Sequence, residues 1–149
     1  MNRYKVRWLS ARDMPEVLVI EQASFKGAWT QEDFRDCLGA RNCLSMVAEQ
    51  DKTVVGFMIY ERDKTRLHIL NLAVHPQRRR QKVGAALVKR LTSKLSTRRT
   101  RITLKVRETN LGAQLFFRQQ GFRAVDVLPG HYEDTGEDAY LMTWKLPID

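Results

Sequence analysis

The chain has 149 residues, of which 43% are apolar, and a formal net charge of +9 at pH 7. This length predicts one domain, residues 1–149, that can bury a core of its own. No apolar run approaches the roughly 18 residues that a membrane span needs, and the first residues lack the apolar stretch of a secretory signal, so we expect neither membrane insertion nor export.

The positive charge is concentrated in one segment. Residues 77–107 contain twelve Lys or Arg and no Asp or Glu, whereas the rest of the chain contains 14 basic and 17 acidic residues. Such a local excess favours one polyanionic partner over a generally basic surface. A solvated helix face with exposed strand ends is the alternative interpretation.

The two cysteines, Cys37 and Cys43, match neither a metal-ligand motif nor a disulfide framework. We therefore predict no metal site and a reducing, cytoplasmic location.

In chain order, the first half begins with a short strand over residues 4–8 and a helix over 10–23. A capping box formed by Thr30 and Asp33 predicts a second helix that ends at Gly39. Three strands should follow, at 44–49, 53–60 and 67–74, with a tight turn at Asp51-Lys52. The last of these is almost continuously apolar, which is typical of a central strand covered on both faces.

The second half alternates helices and strands, in the order helix 84–96, strand 101–106, helix 111–120 and strands 123–128 and 139–145. Gly121 is expected to close the last helix in a left-handed conformation. A polar loop should separate the last two strands. The parallel strand–helix–strand unit across residues 67–106 should be right-handed.

A basic loop lies between the apolar strand 67–74 and the helix that is predicted to begin at Gly84. The first N–H groups of a helix have no partner inside the helix, and the helix dipole is positive there. Cations that lead into such a helix indicate a site for a phosphorylated ligand.

Five motifs surround this loop. In chain order they are Phe25-x-x-x-Trp29-Thr30-x-x-x-Phe34, Asn71-Leu72-Ala73-Val74-x-Pro76, Val106-Arg107-x-x-Asn110, Gly121-Phe122 and Gly136-Glu137-Asp138-Ala139-Tyr140-x-Met142. Their order and spacing resemble the GNAT N-acetyltransferases over nearly the whole chain. Within that family they look like the RimI-like branch, which acetylates protein N-termini, including the N-terminal alanine of a small-subunit ribosomal protein.

The resemblance implies a three-layer α/β/α GNAT fold, with a mixed, mostly antiparallel central sheet splayed between two parallel strands, here 67–74 and 101–106. Acetyl-CoA, the expected cosubstrate, lies between these strands in the family. The residues that the resemblance assigns to it are Leu72, Ala73, Val74, Arg79, Arg80, Gln81, Lys82, Val83, Gly84, Ala85, Asn110 and Phe117. Backbone N–H groups in a turn, reinforced by cations, suit the pyrophosphate.

Three positions depart from the family pattern. Lys82 stands where the family loop usually has its first glycine. Lys105 and Phe117 stand where RimI-like enzymes carry a general-base Glu and a general-acid Tyr. Glycine tolerates unusual backbone angles that lysine does not, and a missing base costs on the order of 10²–10⁴-fold in rate.

The remaining candidates for proton transfer are His131 and Tyr132, which stand where the family has a Tyr-Tyr pair that lines the peptide-binding site, and Lys105 itself. An imidazole with a pKa near ~6.5 suits a base at neutral pH. Lys105 could serve only if its pKa fell by about three units, and phosphate binding or a structural role is its alternative. We expect structural roles for His68 and His75.

The function that these features predict is direct acetyl transfer to a protein N-terminal α-amine, without an acyl-enzyme, and a ribosomal protein is one candidate acceptor. Two alternatives stay open. One is a GNAT enzyme that acts on a small-molecule amine. The other is a weakly catalytic module that binds CoA, or ribosomal RNA through the basic segment. We expect no membrane partner, and the sequence leaves the oligomeric state open.

Overall fold

A computed structural model describes residues 3–147, which form two compact units. The first unit comprises residues 3–62 and 71–94, and the second comprises 63–70 and 95–147. The element order confirms the order predicted from the sequence, with two added 3₁₀ turns at Ala11–Asp13 and Pro76–Arg78.

The first unit contains three whole strands, the end of a fourth and three helices. They are β1 (Lys5–Trp8), α1 (Met14–Ser24), α2 (Gln31–Leu38), β2 (Cys43–Gln50), β3 (Thr53–Arg62), the end of β4 (Arg66–Val74) and α3 (Val83–Thr92). The strand order is β1-β2-β3-β4, and β2 pairs antiparallel with both β1 and β3. At the end of β4, the His75 N–H donates to the Val55 carbonyl over 2.8 Å.

The core of the first unit is built around Phe34 of α2. Its ring centroid lies 5.1 Å from that of Trp29 and 5.8 Å from that of Phe57 on β3. The other buried members of this cluster are Val17, Ile20, Cys43, Val47, Val54, Ile59 and Ala73. Aromatic pairs at these separations add to the hydrophobic stabilisation of the core.

Two local predictions are confirmed in detail. The Asp33 N–H donates to Thr30 Oγ1 over 3.1 Å and the Thr30 N–H donates to Asp33 Oδ2 over 2.8 Å, so both bonds of the capping box are present. Asp51 and Lys52 have φ angles of 52° and 66°. Positive φ at both central residues is what a two-residue hairpin turn requires.

The second unit contains the start of β4 together with β5 (Arg101–Arg107), α4 (Leu111–Gln119), β6 (Arg123–Tyr132) and β7 (Glu137–Lys145). Its strand order is β4-β5-β7-β6. β4 and β5 are parallel, from the pair Arg66–Arg101 to the pair Ile69–Leu104, and β7 is antiparallel to both β5 and β6. The parallel pair is the one predicted from the sequence. Parallel neighbours need a long crossover connection, and the segment that contains α3 provides it.

Gly121 closes α4 with a φ of +100°, as predicted. A Cβ at this position would lie 2.9 Å from Nε1 of Trp144 on β7. The glycine therefore permits both the left-handed turn and the close approach of the indole.

The structure corrects two boundaries. α3 ends at Thr92 rather than at Ser96, because Ser93 Oγ donates to the Arg90 carbonyl and Ser96 Oγ accepts from the Arg98 N–H. Serine side chains compete with the helix for its backbone groups in this way. β6 continues to Tyr132 instead of ending near Leu128, so His131 and Tyr132 lie in a strand rather than in the predicted loop.

No helix within residues 3–147 is long and apolar enough to cross a membrane.

An ion-pair cluster joins β1 to the start of α1. The Arg7 guanidinium donates to Asp13 Oδ2 over 2.8 Å and to Asp13 Oδ1 over 2.9 Å, and it also reaches Glu49 Oε2 over 3.3 Å. Asp13 is buried. The hydrogen bonds from Arg7 lower the pKa of Asp13 from 3.8 to about 2, against the opposing effect of burial.

The cluster predicts an acid-sensitive component of stability. A carboxylate with a lowered folded-state pKa stabilises the fold above its unfolded pKa, and this contribution is lost as the pH falls through the folded value. We expect the free energy of unfolding to fall by about 2 kcal/mol between pH 4 and pH 2 through Asp13. Urea titrations followed by circular dichroism can measure this in the wild type and in Asp13→Asn. Equal losses in the two proteins across this interval would contradict the assignment.

Candidate active site

The segment that joins β4 to α3 has the backbone of an anion-binding turn. After Val74 the chain makes a 3₁₀ turn, and Arg80 and Lys82 then adopt φ angles of 63° and 68°. α3 begins at Val83 with its free N–H groups directed at the segment that precedes it. Turns of this kind collect backbone N–H groups into a concave anion site, which the helix dipole strengthens.

Two side chains fasten this segment within the first unit. Arg79 donates to the Val74 carbonyl over 3.2 Å and to Ser24 Oγ over 3.0 Å. The Tyr4 hydroxyl donates to the Gln81 carbonyl over 2.6 Å. Arg80 and Lys82 remain exposed, while Val83 is buried. Arg80 and Lys82 are therefore exposed cations that a ligand at this turn can contact.

Lys82 occupies the left-handed conformation that a glycine would adopt more readily. It is the N-cap residue of α3 and makes no side-chain cap hydrogen bond. A non-glycine residue in this conformation costs roughly 1–2 kcal/mol. Lys82 thus adopts a backbone conformation suited to glycine and adds a cation to the turn.

Gly56 on β3 allows α3 to approach the sheet. A Cβ at this position would lie 2.8 Å from Cγ1 of Val83 and 3.2 Å from the Ala73 carbonyl oxygen. A side chain would displace the first residue of α3 and, with it, the N–H groups of the turn. Gly56 could not be recognised from the sequence, because the contacts of a glycine inside a strand become visible only in three dimensions.

A buried carboxylate supports the end of β4. Glu21 of α1 is 1% exposed, and it accepts from Asn71 Nδ2 over 2.7 Å and from the Trp29 N–H over 2.9 Å. Asn71 immediately precedes the predicted cofactor residues Leu72, Ala73 and Val74. The sequence offered one signal of this pair, since Glu21 falls on the apolar face of α1.

The other predicted site residues belong to the second unit. Asn110 caps α4, because its Oδ1 accepts from the Ala113 N–H over 3.1 Å. Phe117 is buried, and its ring centroid lies 5.3 Å from that of Phe122. Lys105 is exposed on β5, where it pairs with Leu141 of β7.

His131 and Tyr132 are adjacent at the end of β6, with ring centroids 5.0 Å apart. Arg107 lies over the Tyr132 ring at 4.0 Å and also binds Asp134 and Glu137. Burial raises the pKa of the Tyr132 phenol and outweighs the opposing effect of Arg107. The phenol therefore keeps its proton at neutral pH and can donate it. Arg107 belongs to a motif identified in the sequence, but its contact with the Tyr132 ring was not predicted.

His68 lies apart from these groups in a buried polar contact. Its Nδ1 is 2.6 Å from Thr103 Oγ1, to which Arg66 also donates over 2.9 Å. Burial, assisted by Arg66 and Lys105, lowers the pKa of His68 to about 4. The ring is neutral at pH 7, which agrees with the structural role expected from the sequence. His75 Nδ1 accepts from the Gln77 N–H and stabilises the turn after β4.

Three cationic residues lie side by side at one end of neighbouring strands in the second unit. Arg66 of β4 pairs with Arg101 of β5, which pairs with Lys145 of β7. Directly opposed residues point to the same face of a sheet, and like charges in that arrangement repel one another. The carboxylate of Asp63 compensates part of this charge, because it accepts from Arg66 over 3.1 Å. Within residues 3–147 no group of three or more His, Cys, Asp or Glu is arranged to hold a metal ion.

The first unit thus contains an anion-binding turn at a helix N-terminus, reached from a parallel strand. Together with the alternating strands and helices, these features define an α/β protein with a turn suited to a phosphorylated ligand.

Comparison with known proteins makes this class specific. The sequence model of the acetyltransferase (GNAT) family matches residues 7–122. An uncharacterized N-acetyltransferase of Methanocaldococcus jannaschii is 35% identical over 95% of this chain and 92% of its own length. The ribosomal protein bS18-alanine N-acetyltransferase of Escherichia coli K12 is 29% identical over 94% and 95%.

Solved structures agree. The crystal structure of the ribosomal-protein-S18-alanine N-acetyltransferase from Escherichia coli superimposes with a TM-score of 0.85 at 25% identity, covering 98% of this chain and 96% of that one. Arabidopsis thaliana NAA60 in complex with acetyl-CoA shares the fold with a TM-score of 0.80 at 19% identity, over 96% and 99%. The chain belongs to the GNAT acetyltransferase family and is an N-acetyltransferase. The predicted GNAT fold and the resemblance to the RimI-like branch are confirmed.

The left-handed backbone at Lys82 predicts a difference between two substitutions that both remove the ammonium group. Lys82→Gly should be more stable than Lys82→Ala by about 0.5–1 kcal/mol, because glycine adopts this φ without strain and the greater freedom of glycine in the unfolded chain offsets only part of the gain. Chemical denaturation of both variants measures the difference. Equal stabilities, or a more stable alanine variant, would contradict a left-handed residue 82.

Proposed function

We propose that this N-acetyltransferase transfers the acetyl group of acetyl-CoA to the α-amine at a protein N-terminus. The observation that carries the cofactor assignment is the turn between β4 and α3, where left-handed residues, exposed cations and a helix N-terminus coincide. The acceptor assignment is supported by the Escherichia coli relative, which is named as a ribosomal protein bS18-alanine N-acetyltransferase. A ribosomal protein is accordingly the first acceptor class to test.

The residues of the first unit fit a nucleotide-containing cosubstrate. The N–H groups of residues 83–85 and the side chains of Arg80 and Lys82 are proposed to bind the pyrophosphate. The backbone of residues 72–74 is proposed to bind the pantetheine arm, and Arg79 and Gln81 to hold the loop in place through the Val74 carbonyl and Tyr4. In the second unit, Asn110 and Phe117 are proposed to contribute to acetyl-CoA binding. Acetyl-CoA itself supplies the activated thioester.

The proposed mechanism is direct attack by the neutral amine. Neither cysteine suits an acyl-enzyme, because Cys43 is buried in the core and the two thiols contact each other rather than a base. A free α-amine has a pKa near ~8, so roughly a tenth of it is neutral at pH 7 without any base. Proximity to the thioester then supplies much of the rate. Tyr132, which keeps its proton, is proposed to donate to the departing thiolate, and His131 to assist the amine.

The proposal includes two wider expectations from the sequence. The family match runs through residues of both units, which supports one acetyltransferase domain over residues 1–149. A cytoplasmic location suits an enzyme whose acceptor is a ribosomal protein.

A peptide panel tests the acceptor. Peptides that begin with Ala, Ser, Gly or Met and carry one internal Lys are incubated with acetyl-CoA, and mass spectrometry locates the acetyl group. We expect acetylation of the α-amine, fastest for Ala. The value of kcat/KM should rise with pH up to about 8 and then level off, since deprotonation of the amine limits the rate. A fall in kcat in His131→Ala, with the KM for the peptide unchanged, would support a role of the imidazole as a base.

Matched controls separate the alternatives. Peptides with a blocked N-terminus should be inert, and small amines such as spermidine should react poorly. Acetylation of small amines alone would favour the small-molecule alternative. Calorimetric binding of acetyl-CoA without any acetylated product would favour the weakly catalytic alternative, for which the cation row at Arg66, Arg101 and Lys145 is the supporting observation.

Position 105 provides a gain-of-function test. Lys105→Glu places a carboxylate where RimI-like enzymes carry their general base, and we expect kcat to rise about 10–100-fold, within the range of general-base catalysis. Lys105→Gln removes the cation without adding a base and should leave kcat near the wild-type value. If Lys105→Glu were no faster than Lys105→Gln, position 105 would have no part in proton transfer. A large loss of kcat in Lys105→Gln, with the KM for acetyl-CoA unchanged, would instead make Lys105 the base.

A further inference from the structure

The two cysteines of the chain lie in contact in the first unit. Cys37 is near the end of α2 and Cys43 is the first residue of β2, and their Sγ atoms are 2.8 Å apart. Both are free thiols. A disulfide bond has an S–S distance of about 2.05 Å, so the sulfurs need to approach by less than an ångström to bond.

The connection between α2 and β2 enforces this contact. The Gly39 N–H donates to the Arg35 carbonyl, the Ala40 N–H to the Cys37 carbonyl, and the Cys43 N–H to the Ala40 carbonyl. These consecutive turns reverse the chain within five residues. These backbone hydrogen bonds hold the two residues close together, and in the structure their side chains place the two thiols in contact.

The two sulfurs differ in access. Cys43 is buried in the cluster around Phe34, whereas Cys37 is half-buried at its edge. A largely apolar cleft opens beside Cys43, lined by residues that include Trp8, Met14, Arg35, Leu38 and Ser45. Cys43 contributes to the wall of this cleft but is itself buried, whereas the half-buried Cys37 is the sulfur that a small molecule in solvent reaches more readily.

We propose that Cys37 and Cys43 are a modification site, at which a small-molecule disulfide converts the two thiols into a reversible intramolecular disulfide. This inference does not depend on the proposed acceptor. It departs from the expectation drawn from the spacing of the cysteines, which was that they belong to no disulfide framework.

The chemistry is two successive thiol–disulfide exchanges. The thiolate of Cys37 attacks a disulfide RSSR, which forms Cys37–S–SR and releases RS⁻. Cys43 then attacks the Cys37 sulfur, which forms the Cys37–Cys43 bond, breaks the bond to SR and releases the second RS⁻. The two cysteine protons pass to the two RS⁻ ions, so two thiols and one RSSR give one protein disulfide and two RSH.

The surroundings of the two cysteines determine which thiol attacks first. Burial, followed by the neighbouring Cys37 sulfur, raises the pKa of Cys43 to about 12. Cys43 is therefore protonated at neutral pH and cannot begin the exchange. It resolves the mixed disulfide once Cys37 has been modified, because the Cys37 thiol then no longer raises the pKa of Cys43 and the two sulfurs are already in contact.

The bond would tie the end of α2 to the start of β2. Crosslinking residues six apart restricts the unfolded chain, although less than a longer loop would. We expect the oxidised protein to melt about 5 °C above the reduced protein. A surface cysteine without a partner thiol would react with the same small-molecule disulfide, but the melting temperature would not rise in this way.

Oxidised glutathione is the probe for the test. The folded full-length protein is incubated with it at pH 8, blocked with iodoacetamide and measured intact. We expect a mass decrease equal to two hydrogen atoms, with no bound glutathione. Trypsin without reductant should then yield the peptides 36–41 and 42–52 joined to each other, because Arg41 lies between the two cysteines. Dithiothreitol should restore the original mass and melting temperature.

Cys37→Ser and Cys43→Ser are the matched controls. Cys37→Ser should react little, since its remaining thiol is buried, whereas Cys43→Ser should retain one glutathionyl group. Wild-type protein that accumulates one or two glutathionyl groups without the mass decrease would overturn the proposal. So would a linked peptide pair that forms only after denaturation. If Cys43→Ser fails to fold, the wild type and Cys37→Ser decide the outcome alone.

Discussion

The first unit depends on one carboxylate that has been taken out of water. Glu21 is 1% exposed, and a buried carboxylate is strongly unfavourable unless hydrogen bonds replace its hydration. Its two oxygens receive the Asn71 amide and the Trp29 backbone N–H. One side chain thereby fixes α1, the segment that leads into α2, and the end of β4. Loss of any partner would leave a buried polar group unpaired, which costs more than the bond itself contributes.

A second constraint acts at Gly56 of β3, beside the end of β4. Gly56 lets Val83 approach β3, so the start of α3 is held by close packing and cannot adjust freely. The turn that precedes α3 then has to close in few residues, and Arg80 and Lys82 adopt left-handed conformations to do so. Local strain of this kind persists only where the surroundings fix it. The turn is held at Val74, Ser24 and Tyr4, which explains how a lysine is tolerated at a position suited to glycine.

The structural features that depend only on residues close together in the chain could be predicted from the sequence. The capping box at Thr30 and the turn at Asp51-Lys52 are local arrangements, and both are present. β6 was predicted too short because Pro129-Gly130 resembles a turn, yet the strand continues through a register irregularity to the pair Tyr132–Glu137. The bond between Glu21 and Asn71 joins residues fifty positions apart. No periodicity encodes such a pairing, so the support of the site became visible only in the structure.

Under the proposed function, the substitutions at positions 105 and 117 have a common explanation. Phe117 is enclosed by aromatic neighbours in the second unit, where an added hydroxyl would need a buried partner. Lys105 is exposed on a strand that begins in a row of cations, and these surroundings suit a positive side chain that interacts with phosphate. An α-amine is already partly neutral at physiological pH. An enzyme restricted to such acceptors can rely on positioning for most of its rate, whereas a lysine side chain, with a pKa near ~10.4, would require the missing base. The absence of the family's Glu and Tyr at these positions thus favours an N-terminal acceptor over an internal lysine.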